Sequence, residues 1–202
     1  MSNRSRSLRF LTTTAMFMAV ELVMWLLHLG QVPFGPLNMS LLTVPVAIGA
    51  ILLGPTAGLI LGGTFGLTSL YDAITGASVL TGYFFATHPV HTVFLCVGMR
   101  MIMGLLTGLI FQGLKKIDRT KIVSYYAGAI CAPLLNTLFF MGYIVLFLYQ
   151  TEKVQSIAAS LGATNPLMFV VLLVGVQGLL EAVVCCLVAG SVAKAVSKAL
   201  HM

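Results

Sequence analysis

Charged side chains are scarce in this sequence. Only 8% of its 202 residues are Asp, Glu, Lys or Arg, whereas 59% are hydrophobic. A soluble domain carries about a quarter charged residues. Together with a mean hydropathy of +1.04, this shortage excludes an ordinary soluble domain and indicates an integral membrane protein.

The sequence also lacks the common motifs of catalysis and metal binding. It has no phosphate-binding Gly-x-x-x-x-Gly-Lys-Ser/Thr loop, no His-Glu-x-x-His and no Gly-x-Ser-x-Gly. Its four cysteines lie in apolar runs without metal-ligand spacing, and His88 and His91 lack a third ligand. We therefore expect neither an enzyme nor a bound metal or cofactor.

Long apolar runs fill the sequence instead. They are continuous rather than alternating, so they predict membrane-spanning helices and not a β-barrel. The predicted fold is all-α, with residues 1–202 forming a single six-helix membrane domain. The spans are expected at about 8–29, 37–53, 56–71, 91–114, 122–149 and 166–193. The second and third are short for a roughly 30 Å hydrocarbon core, and short spans often line binding sites in transporters.

Basic residues cluster outside the spans and predict the orientation. With six spans, the three basic segments fall on one side, which is expected to be the cytoplasm, as are both termini. The opposite loops contain only Lys153 among Lys and Arg. Because the basic residues flank the predicted spans, the net positive charge gives no indication of a nucleic-acid partner. The basic segments contain Arg4, Arg6 and Arg9, then Lys115, Lys116, Arg119 and Lys121, and finally Lys194 and Lys198.

The longest connection, 72–90, is predicted to lie on the outer side. It is rich in Gly, Thr and aromatic residues. Two interpretations remain open: a cover over a cavity, or an interfacial loop whose aromatic residues lie among the lipid headgroups.

Arg100 is a cation in the middle of the fourth span. It lies about nine residues, or about 13 Å, inside the span, too deep to reach either surface easily. It therefore needs an anionic or strongly accepting partner, or a water-filled cavity. In one interpretation it pairs with Glu21 or Glu181. In the other it binds the carboxylate or phosphate of a ligand, for which a guanidinium is well suited.

Other polar residues within the spans are candidates for ligand contacts. Asn136 follows Pro133, which can bend a helix, and its amide could bond a neighbouring helix or a ligand. Gln177 lies four residues before Glu181, so the two share a helix face.

The third span presents a polar stripe of Thr64, Thr68 and Tyr71. Threonine hydroxyls in helices also bond to their own turn. The stripe therefore has a local interpretation as well as a ligand-binding one.

Three stretches of the sequence carry a family resemblance. They are Ala15-Met-Phe-Met-Ala19; residues 32–70 with their Leu-Gly-Pro turn; and His88-Pro89 followed by Val97, Arg100, Gly104 and Gly108. With six spans in about 200 residues, the chain resembles the substrate-binding S component of an energy-coupling factor (ECF) vitamin transporter, and most of all the pantothenate-specific members.

The resemblance implies a subunit that captures a vitamin with high affinity and reorients in a prokaryotic cell membrane. It implies as partners a transmembrane scaffold (T) subunit, docked through Ala15 and Ala19, and two cytosolic ATPase (A) subunits. The glycines at 58, 62 and 66 could serve such contacts or pack inside the monomer. A vitamin of the pyridoxine, hydroxymethylpyrimidine, folate or riboflavin type, and a stand-alone secondary carrier, remain alternatives.

Pantothenate has one carboxylate, an amide and two hydroxyls. We expect Arg100 to bind the carboxylate. Asn136, Thr68, Tyr71 and Gln177 are the candidates for the amide and hydroxyls.

Overall fold

The computed structural model describes residues 3–29, 31–34, 37–118, 120 and 122–199, without the side chains of 3–6 and 31–39. Helices and one β-hairpin make up the described fold. In chain order they are α1 (Asn3–Leu26), β1 (Gln31–Phe34), β2 (Leu37–Ser40), α2 (Thr43–Leu53), α3 (Pro55–Thr75), α4 (Val79–Thr87), α5 (Pro89–Ile117), α6 (Val123–Leu148), α7 (Glu152–Ser160) and α8 (Pro166–Ala199).

Five of the described helices, α1, α3, α5, α6 and α8, are long and apolar enough to cross a membrane. The shorter apolar helix α2 has 11 residues, or about 16 Å of rise. Its residues are almost all buried, so it packs within the bundle. These helices confirm the predicted all-α membrane protein.

The chain before α2 differs from the expected second span of 37–53. Residues Leu37–Ser40 form a strand that pairs antiparallel with Gln31–Phe34. Pro33 has no backbone N–H and fits poorly inside a helix, whereas β-branched and aromatic neighbours favour an extended chain. Because residues 37–40 pair with this extended segment, they are not part of the helix, which begins at Thr43.

The connection at 72–90 is mostly helical rather than a loop. Helix α3 continues to Thr75 and ends at Gly76, whose φ of 75° is left-handed, a common glycine helix end. Helix α4 then follows, and its Leu80 and Phe84 are fully buried. Burial of these apolar side chains accounts for an ordered helix here.

Buried apolar side chains form two clusters along the bundle. The first joins α2, α3, α5, α6 and α8 and includes Phe65, Met103 and Phe111. The second joins α4, α7, Leu95 of α5 and one end of α6 and α8, and it includes Phe84, Met141 and Phe169.

Helices α3 and α5 approach each other closely through glycines. A Cβ at Gly58 would collide with the carbonyl of Gly104, and one at Gly62 with the carbonyl of Arg100. The glycine stripe of α3 thus packs inside the monomer. This close approach fixes the position of Arg100 relative to α3.

Candidate ligand-binding cavity

A polar cavity of about 90 Å³ lies between the two apolar clusters. Phe65 of the first cluster and Met141 and Val174 of the second all contribute to its wall. Ser40, at the end of β2, and Thr81 of α4 also line it. The hairpin and α4 therefore border a cavity whose other walls come from α3, α5, α6 and α8.

Arg100 lines this cavity, and its position follows from the local shape of α5. The turn just before it, Phe94–Gly98, is a π-helical turn, a feature frequent at functional sites. The Arg100 side chain turns back along α5, and its Nη1 donates to the carbonyl of Cys96 at 3.0 Å.

Two aromatic rings flank the guanidinium of Arg100. Its Cζ lies 4.4 Å from the ring centroid of Phe65 and 5.1 Å from that of Phe140. Such cation–π contacts stabilise a cation more strongly when it is shielded from water. The Nε of Arg100 is buried and has no hydrogen-bond partner among the described residues.

Two carboxylates line the same cavity. Asp72 Oδ1 accepts a 2.9 Å hydrogen bond from the indole Nε1 of Trp25. Glu181 Oε1 accepts one from the backbone N of Ser40 at 2.7 Å and a second from Gln177 Nε2 at 3.2 Å. These bonds tie the hairpin and α1 to the cavity wall.

Within the described residues, no ion pair joins Arg100 to Glu21 or Glu181. Glu21 is fully buried on α1, does not line the cavity, and has no partner for either carboxylate oxygen in the described part of the chain. The interpretation of Arg100 as one half of a structural salt bridge therefore finds no support in the geometry.

Three of the five predicted ligand-binding residues meet at the cavity: Arg100, Asn136 and Gln177. The structure places Thr68 and Tyr71 outside it. The hydroxyl of Thr68 donates to the carbonyl of Phe65 in its own helix. Tyr71 is 55% exposed and packs edge-on against Trp25.

The face of α3 that lines the cavity is one residue away from the predicted stripe. It consists of Phe65, Ser69 and Asp72, whereas the prediction used 64, 68 and 71. One residue turns a helix by about 100°. The charge of Asp72 is the sequence signal that could have identified the correct face.

Sequence reasoning also missed cavity residues that have no unusual chemistry. Phe140 on α6 lies four residues after Asn136, so the helical repeat places it on the same side, whereas Thr137 comes one residue after Asn136, about 100° around the helix. Ser78 and Thr81 also line the cavity. They belong to the 72–90 segment, for which the sequence left two interpretations open, a cover over a cavity or an interfacial loop.

The cavity combines hydrogen-bond donors and acceptors in an otherwise apolar bundle. Arg100 and the Asn136 amide supply donors, while Asp72 and Glu181 supply acceptors. Such an arrangement can hold a small polar molecule away from lipid. It contains no nucleophile–base pair among its described residues.

Ala15 and Ala19 do not line the cavity. Both are on the exposed face of α1, together with exposed apolar residues such as Met16 and Val23. That face is open to a neighbouring protein or to lipid.

The fold and the cavity define a class: membrane proteins that bind a polar small molecule between apolar helices. The sequence profile of one such family, described as ECF transporter, substrate-specific component, matches residues 9–193. The chain belongs to this family. It is a vitamin-binding transporter subunit rather than an enzyme, it is a multi-pass prokaryotic membrane protein, and the family implies T and A subunits as partners. No curated protein matches the chain.

Proposed function

We propose that this subunit binds pantothenate in the cavity around Arg100 and delivers it inward as part of an ATP-driven importer. The main support for this proposal is Arg100. Its buried guanidinium lines a polar cavity and has no ionic partner among the described carboxylates. The carboxylate of pantothenate supplies the missing anion and fits a guanidinium well. Asn136 and Gln177 then serve its amide and hydroxyl groups.

The cavity has to widen around such a ligand. Its volume of about 90 Å³ is below the roughly 300–1,000 Å³ of ordinary ligand pockets. Ser40 and Thr81 border the cavity from the hairpin and α4, two short elements outside the long helices. We infer that these elements move apart when the vitamin enters.

Delivery in this proposal depends on partners. The subunit docks on a transmembrane scaffold through α1, and two cytosolic ATPases drive its reorientation, so that the cavity faces the cytoplasm. Both termini and the basic 115–121 segment lie on the cytoplasmic side. The chain itself hydrolyses no ATP.

Isothermal titration of the purified protein tests the ligand assignment. We expect wild type to bind pantothenate and to bind pantothenol, its alcohol analogue, about 10- to 100-fold more weakly, because a hydrogen bond to a charged group contributes about 1.5–3 kcal/mol. Arg100→Gln should weaken pantothenate binding by a similar factor and leave pantothenol binding nearly unchanged.

Arg9→Gln is the matched control, because Arg9 lies at the start of the first span, away from the cavity. It should bind pantothenate as wild type does. Equal affinity of wild type for pantothenate and pantothenol would contradict the role of Arg100.

A further inference from the structure

The charges that line the cavity do not match a ligand that carries only an anion. One guanidinium is accompanied by two carboxylates, Asp72 and Glu181. All three side chains are nearly buried, at 7%, 8% and 4% exposure for Arg100, Asp72 and Glu181. A ligand that presented only acceptor groups would place a further acceptor against the buried carboxylate of Glu181, which is unfavourable.

The hydrogen bonds of Glu181 leave one of its oxygens for a ligand. Both donors, Ser40 N and Gln177 Nε2, bond to Oε1. Oε2 has no partner among the described residues, and it is not among the fully enclosed atoms of the described chain. Since Glu181 lines the cavity, Oε2 is the oxygen that remains for a ligand there.

The guanidinium of Arg100 has the complementary arrangement. Nη1 bonds to the carbonyl of Cys96, and the aromatic rings of Phe65 and Phe140 flank the group. Nη2 makes no hydrogen bond within the described structure and is not fully enclosed. The cavity therefore offers one open donor at Arg100 and one open acceptor at Glu181.

From these two open atoms we infer that Glu181 is a specificity residue that accepts a hydrogen bond from a hydroxyl, amide N–H or ammonium group of the ligand. The ligand class is then a small acid that also carries such donors, and a cavity residue fixes each end. The inference rests on the proposed function, because it concerns the same cavity. It goes further in assigning a ligand-binding role to a glutamate that the sequence offered only as a possible ion-pair partner of Arg100.

Glu181→Gln tests the acceptor role with almost no change in shape. Ser40 N and Gln177 Nε2 hold the amide oxygen at the Oε1 position, so the new NH₂ group occupies the Oε2 position. It presents donors where the ligand needs an acceptor. We expect pantothenate affinity to fall about 10- to 100-fold, with thermal unfolding close to wild type.

Glu21→Gln is the matched control, since Glu21 is also a buried glutamate in a membrane helix but lies outside the cavity. It should retain wild-type affinity. Wild-type affinity in Glu181→Gln would overturn the inference, since it would mean that a donor at this position serves as well as an acceptor.

A second ligand completes the thermodynamic cycle. A pantothenate analogue without its two hydroxyls should bind wild type about 10-fold or more weakly, and Glu181→Gln should weaken binding of this analogue little further. If the losses of affinity from Glu181→Gln and from removal of the hydroxyls were fully additive, a direct contact between Glu181 and these hydroxyls would be ruled out.

Mass spectrometry of small molecules released from the purified proteins separates this inference from the pantothenate assignment. A retained acid other than pantothenate that carries hydroxyl or N–H donors, and is lost in Glu181→Gln but kept in Glu21→Gln, would sustain the inference and refute pantothenate. A retained ligand without such donors would refute the inference. The absence of both a retained ligand and pantothenate binding would contradict both.

Discussion

Arg100 can remain in the interior of a membrane helix because several weak contacts replace its hydration. One guanidinium nitrogen bonds to a backbone carbonyl, and two aromatic rings lie against the group. Nη2 makes no hydrogen bond among the described residues and is not fully enclosed, and Arg100 lines a polar cavity. This environment stabilises a cation without neutralising it, which is the state in which a ligand carboxylate gains most from binding.

Glu21 presents the opposite case at the residue scale. It is fully buried, and neither carboxylate oxygen has a partner among the described residues. An unsatisfied buried polar group destabilises the fold. Glu21→Leu should therefore raise the free energy of unfolding by about 1–3 kcal/mol, measured as thermal unfolding in detergent.

Glu181→Leu serves as the comparison for that measurement. It removes the two hydrogen bonds that Glu181 Oε1 accepts from Ser40 N and Gln177 Nε2, so we expect lower stability. If Glu21→Leu were as destabilising as Glu181→Leu, the Glu21 carboxylate would contribute to stability through a partner.

At the scale of elements, the seam between α3 and α5 sets the geometry of the cavity. A Cβ at Gly104 would meet the backbone of Gly58, and one at Gly108 the backbone of Pro55. These contacts involve main-chain atoms, which cannot move aside as flexible side chains do. The seam therefore holds the backbone of Arg100 at a fixed distance from Phe65 and Asp72 on α3.

Gly104→Ala should disrupt that seam. The added methyl group forces the helices apart, and we expect a loss of about 1–3 kcal/mol in the free energy of unfolding, with weaker ligand binding. Gly113→Ala in the same helix is the matched control, since no atom lies within 4 Å of the position that its added methyl group would take and alanine favours helix. Equal stability of the two variants would contradict the seam.

The exposed face of α1 is the proposed docking surface for the scaffold subunit. Ala15 and Ala19 present small side chains there, which permit close approach of a partner helix. Ala15→Trp or Ala19→Trp should abolish vitamin uptake by the assembled transporter while ligand affinity of the isolated subunit stays at the wild-type value.

Ala195→Trp, on an exposed face of α8, is the control for bulk on a membrane helix and should leave uptake intact. Loss of ligand binding in the α1 variants would show a folding defect and would refute the assignment of this face to docking.

At the scale of the whole molecule, the cavity lies where two apolar clusters meet. The two clusters share α5, α6 and α8, and the polar wall occupies the junction between them. The two short bordering elements, the hairpin and α4, both carry residues that line the cavity. The proposed widening of the cavity thus involves these two elements and does not require the glycine seam between α3 and α5 to open.

The proposed orientation is a property of the whole chain and can be tested in intact cells. A cysteine in place of exposed Ile117 should resist a membrane-impermeant maleimide, whereas one in place of exposed Ser156 should react. The parent protein, with its four native cysteines, gives the background labelling. Labelling at 117 but not at 156 would reverse the topology.

The sequence by itself determined the class of protein and the position of its long helices. Apolar runs of about 20 residues leave a chain no other way to satisfy its backbone in lipid. The sequence also determined that Arg100 required a special environment, because a guanidinium at that depth is costly without one. The family resemblance rested on local motifs that are likewise read directly from the chain.

Only the tertiary structure decided which faces meet. The helical repeat fixes the spacing of a stripe but not its rotation, so residues 65, 69 and 72 line the cavity rather than 64, 68 and 71. Glu181 faces Ser40 across 141 positions of sequence, a contact that no local pattern encodes. Long-range packing, above all the glycine seam of α3 and α5, selects these faces because backbone contact permits one rotation of each helix.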